Sequence, residues 1–295
     1  MKNKVIILTA ICTLLSLSCT NKSEETESEL LTPVIVQVND FTTSIEDFET
    51  RAGGSVDSYT GVKAITLAFY SKTDGSQVYK HTQLREDATT YSTFGTFTTF
   101  LPQGSYTMVV VGSGLNSGEP AITLTSPTSA TFGDYPARET FSSTQAVDIT
   151  DNDPVELNPE LNRIISKLII ESTDTRIPDA TDVRVSFSAG GKSFNPTTGL
   201  ATVNTGFSNT VPISTNVGEI SKTASYLFLA TDEQTMNVTI DVLDADGAVL
   251  FSMTVSNVPF LRNRLTRLIG SLYSSSVTAA FTVNTAWLDR YDMNF

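Results

Sequence analysis

Apolar and polar residues alternate with a period of two over most of the chain. Side chains two apart share a face only in an extended strand, so this pattern predicts β-structure. Val34, Val36 and Val38 mark one face of a short strand, and Ile65, Leu67 and Phe69 mark a face within 62–71. Thr73-Asp74-Gly75-Ser76 then reads as a turn. Residues 95–101 are rich in Thr and Phe, and Pro102-Gln103-Gly104 turns the chain into a β-branched and aromatic run over 105–111. In the second half, Val183, Val185 and Phe187 alternate, as do Val238, Ile240 and Val242. Asp244-Ala245-Asp246-Gly247 predicts a hairpin whose return strand carries Val249, Phe251, Met253 and Val255 on one face. No long amphipathic helix is written into the sequence, and 112–120 and 126–136 read as long loops. Short strands with polar turns predict an all-β chain of tandem antiparallel β-sandwiches.

The ends are different. Lys2 and Lys4 precede an apolar run from Val5 to Leu17, shorter than the roughly 20 residues of a membrane span. That is a signal peptide, and its end, Leu14-Leu15-Ser16-Leu17-Ser18-Cys19, is similar to a bacterial lipobox. Cys19 is then the lipid-bearing first mature residue and the chain is held on a membrane. Leu17 departs from the small residue usual at its place, and an ordinary signal peptide is the alternative. The polar, acidic stretch Thr20 to Glu29 predicts a tether, and resembles a surface-export signal of Bacteroidetes lipoproteins. The polar stretch Thr150-Asp151-Asn152-Asp153-Pro154 suggests a boundary. The expected division is 1–18 signal peptide, 19–51 lipidated tether with a removable strand, 52–155 first sandwich and 156–295 second sandwich.

Composition narrows the function. The chain has 295 residues, a formal net charge of −13 and 17% charged residues. That charge argues against nucleic acid as a partner. One His, His81, and two Cys, Cys12 and Cys19, leave few ways to build a zinc site or a nucleophile–base pair, so no enzyme, cofactor or metal is expected. His81 reads as a solvated strand end. Asp244 and Asp246 read as turn residues rather than calcium ligands, since the further spaced ligands of a calcium loop are missing. Gly190-Gly191-Lys192-Ser193 lacks the earlier Gly of a phosphate loop and reads as a hairpin turn.

Three features suit an assembly protein. Arg51, before Ala52-Gly53-Gly54, is a lone basic residue in an acidic stretch and suits a trypsin-like cut. Val277, Ala279, Phe281, Val283, Thr285 and Trp287 lie on one face of a single extended segment near the C-terminus. It reads either as the last strand of the second sandwich or as a strand donated to a neighbour. Cutting after Arg51 removes the Val34–Phe41 strand, and the sheet edge so exposed can accept a strand from another subunit. A head-to-tail contact of this kind builds a filament.

The lipobox-like stretch, Arg51-Ala52, Val62–Tyr70, Leu101–Tyr106, Asn162–Leu168, Val258–Gly270 and Phe281-Thr282-Val283 together resemble the fimbrillin superfamily of Bacteroidetes. That superfamily contains fimbrial shaft, tip and anchor subunits. The resemblance implies two tandem transthyretin-like β-sandwich domains and export as a lipoprotein to the outer membrane and cell surface. It implies lipid at Cys19, cleavage at Arg51 by an arginine-specific protease, and donation of Val277–Trp287 to other fimbrial subunits, either copies of the chain or paralogues. An uncleaved anchor subunit and a glycan-binding surface lipoprotein are the alternatives; the single Trp counts against the second.

Overall fold

The computed structural model describes residues 31–42, 54–56, 59–89, 91–274 and 282–284, and among these every regular element is a strand. The first half contributes β1 (Leu31–Gln37), β2 (Asp40–Thr42), β3 (Gly54–Ser55), β4 (Ala64–Ser71), β5 (Gln77–Leu84), β6 (Thr96–Pro102) and β7 (Gly104–Ser113). It continues with β8 (Thr123–Ser126), β9 (Ser129–Thr131), β10 (Thr140–Ile149), β11 (Val155–Leu157) and β12 (Leu161–Arg163). The second half holds β13 (Ser166–Thr175), β14 (Asp182–Phe187), β15 (Ser193–Phe194), β16 (Phe207–Pro212) and β17 (Ile220–Leu227). It ends with β18 (Glu233–Leu243), β19 (Val249–Leu261), β20 (Leu265–Gly270) and β21 (Thr282–Asn284).

The first sandwich packs a sheet of order β11-β1-β6 against one of order β3-β2-β12-β10-β7-β4-β5. The second packs β17-β13-β20-β21 against β16-β14-β18-β19. Most pairings are antiparallel, but β1–β11, β2–β12 and β13–β20 are parallel. A parallel pair needs a long crossover, and each of these joins segments far apart in sequence. β11 and β12 belong to the sheets of the first sandwich, which therefore extends past the polar stretch at 150–154 to Arg163.

β4 and β7 are buried on both faces, which is why their sequences read as continuous apolar runs. Ile65, Leu67, Phe69, Met108 and Val110 face the core of the first sandwich. Ala68, Tyr70, Val109 and Val111 face the opposite way, into a third core shared with Ile164, Ile165, Phe194 and Phe228 of the second half. Phe194 and Phe228 stack at 4.3 Å between ring centroids, and Phe132 lies 6.3 Å from Phe228. A small sheet of order β15-β9-β8 stitches the halves beside this stack. Ser142 Oγ donates to the Pro196 carbonyl at 2.6 Å across the same seam.

Two loop expectations change. The stretch 126–136 holds β9, a strand too short to show alternation, whose partner β15 comes from the other half. Gly190 and Gly191 do not turn a hairpin, because the flanking strands β14 and β15 belong to different sheets. The pair lets backbones cross closely instead. A Cβ on Gly191 would stand 2.3 Å from the Val203 carbonyl oxygen, and Gly191 bridges to Phe228.

Candidate functional site

The N-terminal strand is the centre of the site. β1 is the middle strand of its sheet, antiparallel to β6 from Leu31↔Pro102 to Gln37↔Thr96 and parallel to β11. Its alternation puts Thr32, Val34 and Val36 inside, with Val38 following. At Val38-Asn39 the chain crosses to the opposing sheet. The Val38 amide donates to the Gly95 carbonyl at 3.0 Å, and the Asn39 carbonyl accepts from the Val56 amide at 2.9 Å. β2 then lies between β3 and β12 in the seven-stranded sheet. One segment of about a dozen residues therefore pins both layers of the sandwich. Burying a Val or Phe side chain contributes about 1.5–3 kcal/mol. Val34, Val36, Val38 and Phe41 together contribute on the order of 6–12 kcal/mol, comparable with the whole stability of an ordinary domain.

Phe41 fills the deepest part of this seat. Its side chain is fully buried, 5.0 Å from the ring of Phe141 and 5.9 Å from that of Tyr59, centroid to centroid. Gly112 leaves the space: a Cβ there would come within 3.1 Å of the Phe41 ring. Behind the rings lies a charged group. Tyr59 Oη donates to Glu139 Oε2 at 2.6 Å, and Glu139 Oε1 pairs with Arg163 Nη2 at 2.7 Å. Arg163 also donates to Tyr59 Oη at 3.2 Å and lies 5.2 Å from the centre of the Phe141 ring. Its Nε is buried without a hydrogen-bond partner. Burial and the Glu139 carboxylate push the Tyr59 phenol well above its ordinary range. Alternation marks neither Phe41, which comes three residues after Val38, nor this constellation, whose members come from β2, β10, β12 and the loops that hold Tyr59 and Glu139. No local spacing could have assembled it.

At the other end, Asp174 grips residues 271–273, which follow β20. Its carboxylate accepts from the amides of Leu272 at 2.8 Å and Tyr273 at 2.9 Å, and from the Ser271 hydroxyl. Leu272 and Tyr273 are buried, and Tyr273 Oη shares a hydrogen bond with Ser221 Oγ. β21 then pairs antiparallel with β20, setting Val283 opposite Leu268 at the edge of the second sandwich. Of the residues singled out for donation, Val283 alone is described. Val277, Ala279, Phe281, Thr285 and Trp287 lie outside the described residues, as do Cys19, Arg51 and Ala52.

The remaining candidates have structural tasks. His81 is exposed in the middle of β5, not at its end, with Phe97 packed against its ring at 6.1 Å. Asp244 Oδ1 accepts from the amides of Asp246 at 3.0 Å and Ala248 at 2.8 Å, and Gly247 has φ +80°, so both features serve the hairpin. Among the described residues no three His, Cys, Asp or Glu side chains gather as a metal site would require. A surface cavity of about 300 Å³ is lined by Lys63, Arg85, Glu86, Leu115, Asn116 and Ser117. The Arg85 guanidinium beside it is engaged by the carbonyls of Val56, Tyr59 and Val62.

The model of a family of unknown function, DUF6562, matches residues 31–293. The chain belongs to DUF6562. That match starts where β1 starts and spans both sandwiches. No curated protein matches the DUF6562 chain. Among solved structures it is similar to a candidate adhesin from Bacteroides ovatus, at 10% identity and a TM-score of 0.52, covering 86% of this chain and 94% of that one. It is also similar to a candidate polysaccharide-binding protein from Bacteroides thetaiotaomicron, at 11% identity and a TM-score of 0.50, covering 86% and 96%. The fimbrial anchor protein Mfa2 from Porphyromonas gingivalis aligns at 13% identity and a TM-score of 0.47, covering 86% and 95%. At these identities the likeness concerns the fold alone, which the DUF6562 chain shares with the Bacteroides ovatus candidate adhesin.

Proposed function

We propose that this chain is a non-catalytic structural subunit of a cell-surface fimbrium that assembles by strand exchange. In this reading it is exported as a lipoprotein carried on Cys19 and held at the outer membrane. An arginine-specific protease cuts after Arg51, and the segment before the cut gives up its place to a strand from another fimbrial subunit. The donor strand of this chain is Val277–Trp287.

One observation carries the reading. The segment that a cut after Arg51 would detach is the middle strand of one sheet and an inner strand of the other. Its loss would leave unpaired backbone groups on both neighbours and an open apolar slot, the kind of surface that an added strand satisfies. β2 and β3 flank the residues 43–53 that contain Arg51 and are paired with each other. A cut there severs the chain without unseating the strand, so cleavage licenses exchange and does not itself cause release. The fold shared with the Bacteroides ovatus candidate adhesin supports a surface role.

The test is the N-terminus and intact mass of the protein taken from its native cell surface. A chain beginning at Ala52 in heat-resistant, high-mass ladders is expected. A chain beginning at acylated Cys19 without ladders would overturn the cleaved-subunit reading. It would leave an uncleaved anchor subunit or a glycan-binding lipoprotein, which saturable sugar binding would separate.

A further inference from the structure

Resting on the strand-exchange reading, we infer that the Phe41 pocket decides which strand can replace the leader, and that it demands an aromatic side chain from a different polypeptide. The geometry sets a spacing. The buried apolar positions of the seated segment are Val34, Val36, Val38 and Phe41. Three follow strict alternation, but the fourth comes three residues after the third, because the chain changes sheets at Val38-Asn39. A replacement that fills both layers must repeat this: apolar at i, i+2 and i+4, aromatic at i+7.

The pocket is shaped for a ring. Phe141 and Tyr59 present tilted faces to Phe41, and Gly112 gives the depth that a Cβ would remove. Leu161, fully buried, pairs with Phe41 along the backbone and closes one side. An empty pocket would bring water to the Tyr59–Glu139–Arg163 group and leave the apolar walls bare, so a strand that fills only the β1 portion gives up the deepest part of the seat. The chain's own C-terminal segment does not carry the spacing. It alternates strictly through Val277, Ala279, Phe281, Val283, Thr285 and Trp287, and neither reading direction over 271–295 places three apolar residues at the required distances from an aromatic one. The occupant is therefore not the C-terminal segment of a second copy but an extended segment of another chain that carries this spacing. This subunit is an acceptor for a different donor.

The experiment uses the full chain, cut within residues 43–53 by an arginine-specific protease or at an engineered site replacing residues 44–50. The nicked protein is challenged with fluorescent peptides: residues 31–42, the same peptide with Phe41→Ala, and residues 275–291. The 31–42 peptide is expected to displace the resident segment, and the Phe41→Ala peptide to do so more weakly by about a hundredfold or more. The 275–291 peptide is expected to be comparably weak. Competition by the Phe41→Ala peptide within about threefold of the parent would overturn the role of the pocket. Equal competition by 275–291 would overturn the exclusion of self. Should no peptide enter, the strand-exchange reading fails, and the pocket is judged by retention instead. Loss of the resident segment on gel filtration of the nicked F41A chain, but not of the nicked parent, supports it; equal retention sinks it.

Discussion

Arg163 is the clearest case of one residue set by competing physical demands. Its side chain is 7% exposed, and such a charge is tolerated only with a partner. Glu139 is that partner, with Tyr59 and the Phe141 ring completing the surroundings. Removing one member of a buried ion pair typically costs 3–5 kcal/mol. Glu139 keeps some solvent access, so Glu139→Ala should lower stability by about 3 kcal/mol, read from urea denaturation at neutral pH. Tyr59 adds a pH dependence. Its phenol titrates higher in the folded chain than in the unfolded one, so the unfolded state loses its proton first. The stabilising contribution is complete below the unfolded value near 10 and falls as pH rises above it. Denaturation midpoints measured from pH 8 to 11 should decline less steeply in Tyr59→Phe than in the parent.

Glycines at turns and crossings make a sharp comparison at the scale of elements. Gly191 lies where three backbone segments meet, and a methyl group there would collide with the Val203 carbonyl. Gly247 has open space around it and pays only for its left-handed φ. Gly191→Ala should therefore cost about 3 kcal/mol or more, and Gly247→Ala about 1 kcal/mol, by thermal or chemical melting. A similar size for both would mean that the crossing relaxes easily. The same contrast shows what the sequence could reveal. Asp-Gly in the β18–β19 hairpin was legible because turn chemistry is local. The paired glycines at 190–191 read as a turn in the sequence because what they accommodate, Val203 and Phe228, is remote from them. Strands β4, β7, β14, β18 and β19 were legible from alternation or β-branched runs, since their inner faces are continuous. β8, β9 and β15 were not, because two to four residues cannot show a period. In the candidate site, Val34, Val36 and Val38 could be read directly. The sheet change after them, and so the odd spacing to Phe41, could not.

At the scale of the whole molecule, the described residues are organised by three cores rather than two. The seven-stranded sheet lies between the first and third, so the expectation of two tandem sandwiches is correct in architecture but omits what joins them. The joint is built around Phe132, Phe194 and Phe228; the first two stand alone among polar and small residues and the third lies in the apolar run Tyr226–Ala230, so no periodicity flags them as partners. A buried Phe cut back to Ala typically costs 3–5 kcal/mol. Phe228→Ala should lose that much and also uncouple the halves, turning one calorimetric transition into two. Retention of a single transition would mean that the β9–β15 strand pair and the Ser142–Pro196 bond suffice to couple them.

That joint has a mechanical meaning if the subunit stands in a filament. Tension would enter through the strand seated in the first sandwich and leave through the C-terminal segment of the second. Force would cross between the halves through the backbone at residues 164–165, which joins β12 to β13, and through the third core around Phe132, Phe194 and Phe228. The two sheet-bound ends hold by many hydrogen bonds loaded together, and the seam adds the buried side chains of the third core, the β9–β15 pair and the Ser142–Pro196 bond. Only residues 164 and 165 separate β12 from β13, so a steady pull would release little length at the waist before the backbone itself took the load, and the subunit would bear tension as a stiff link rather than stretch.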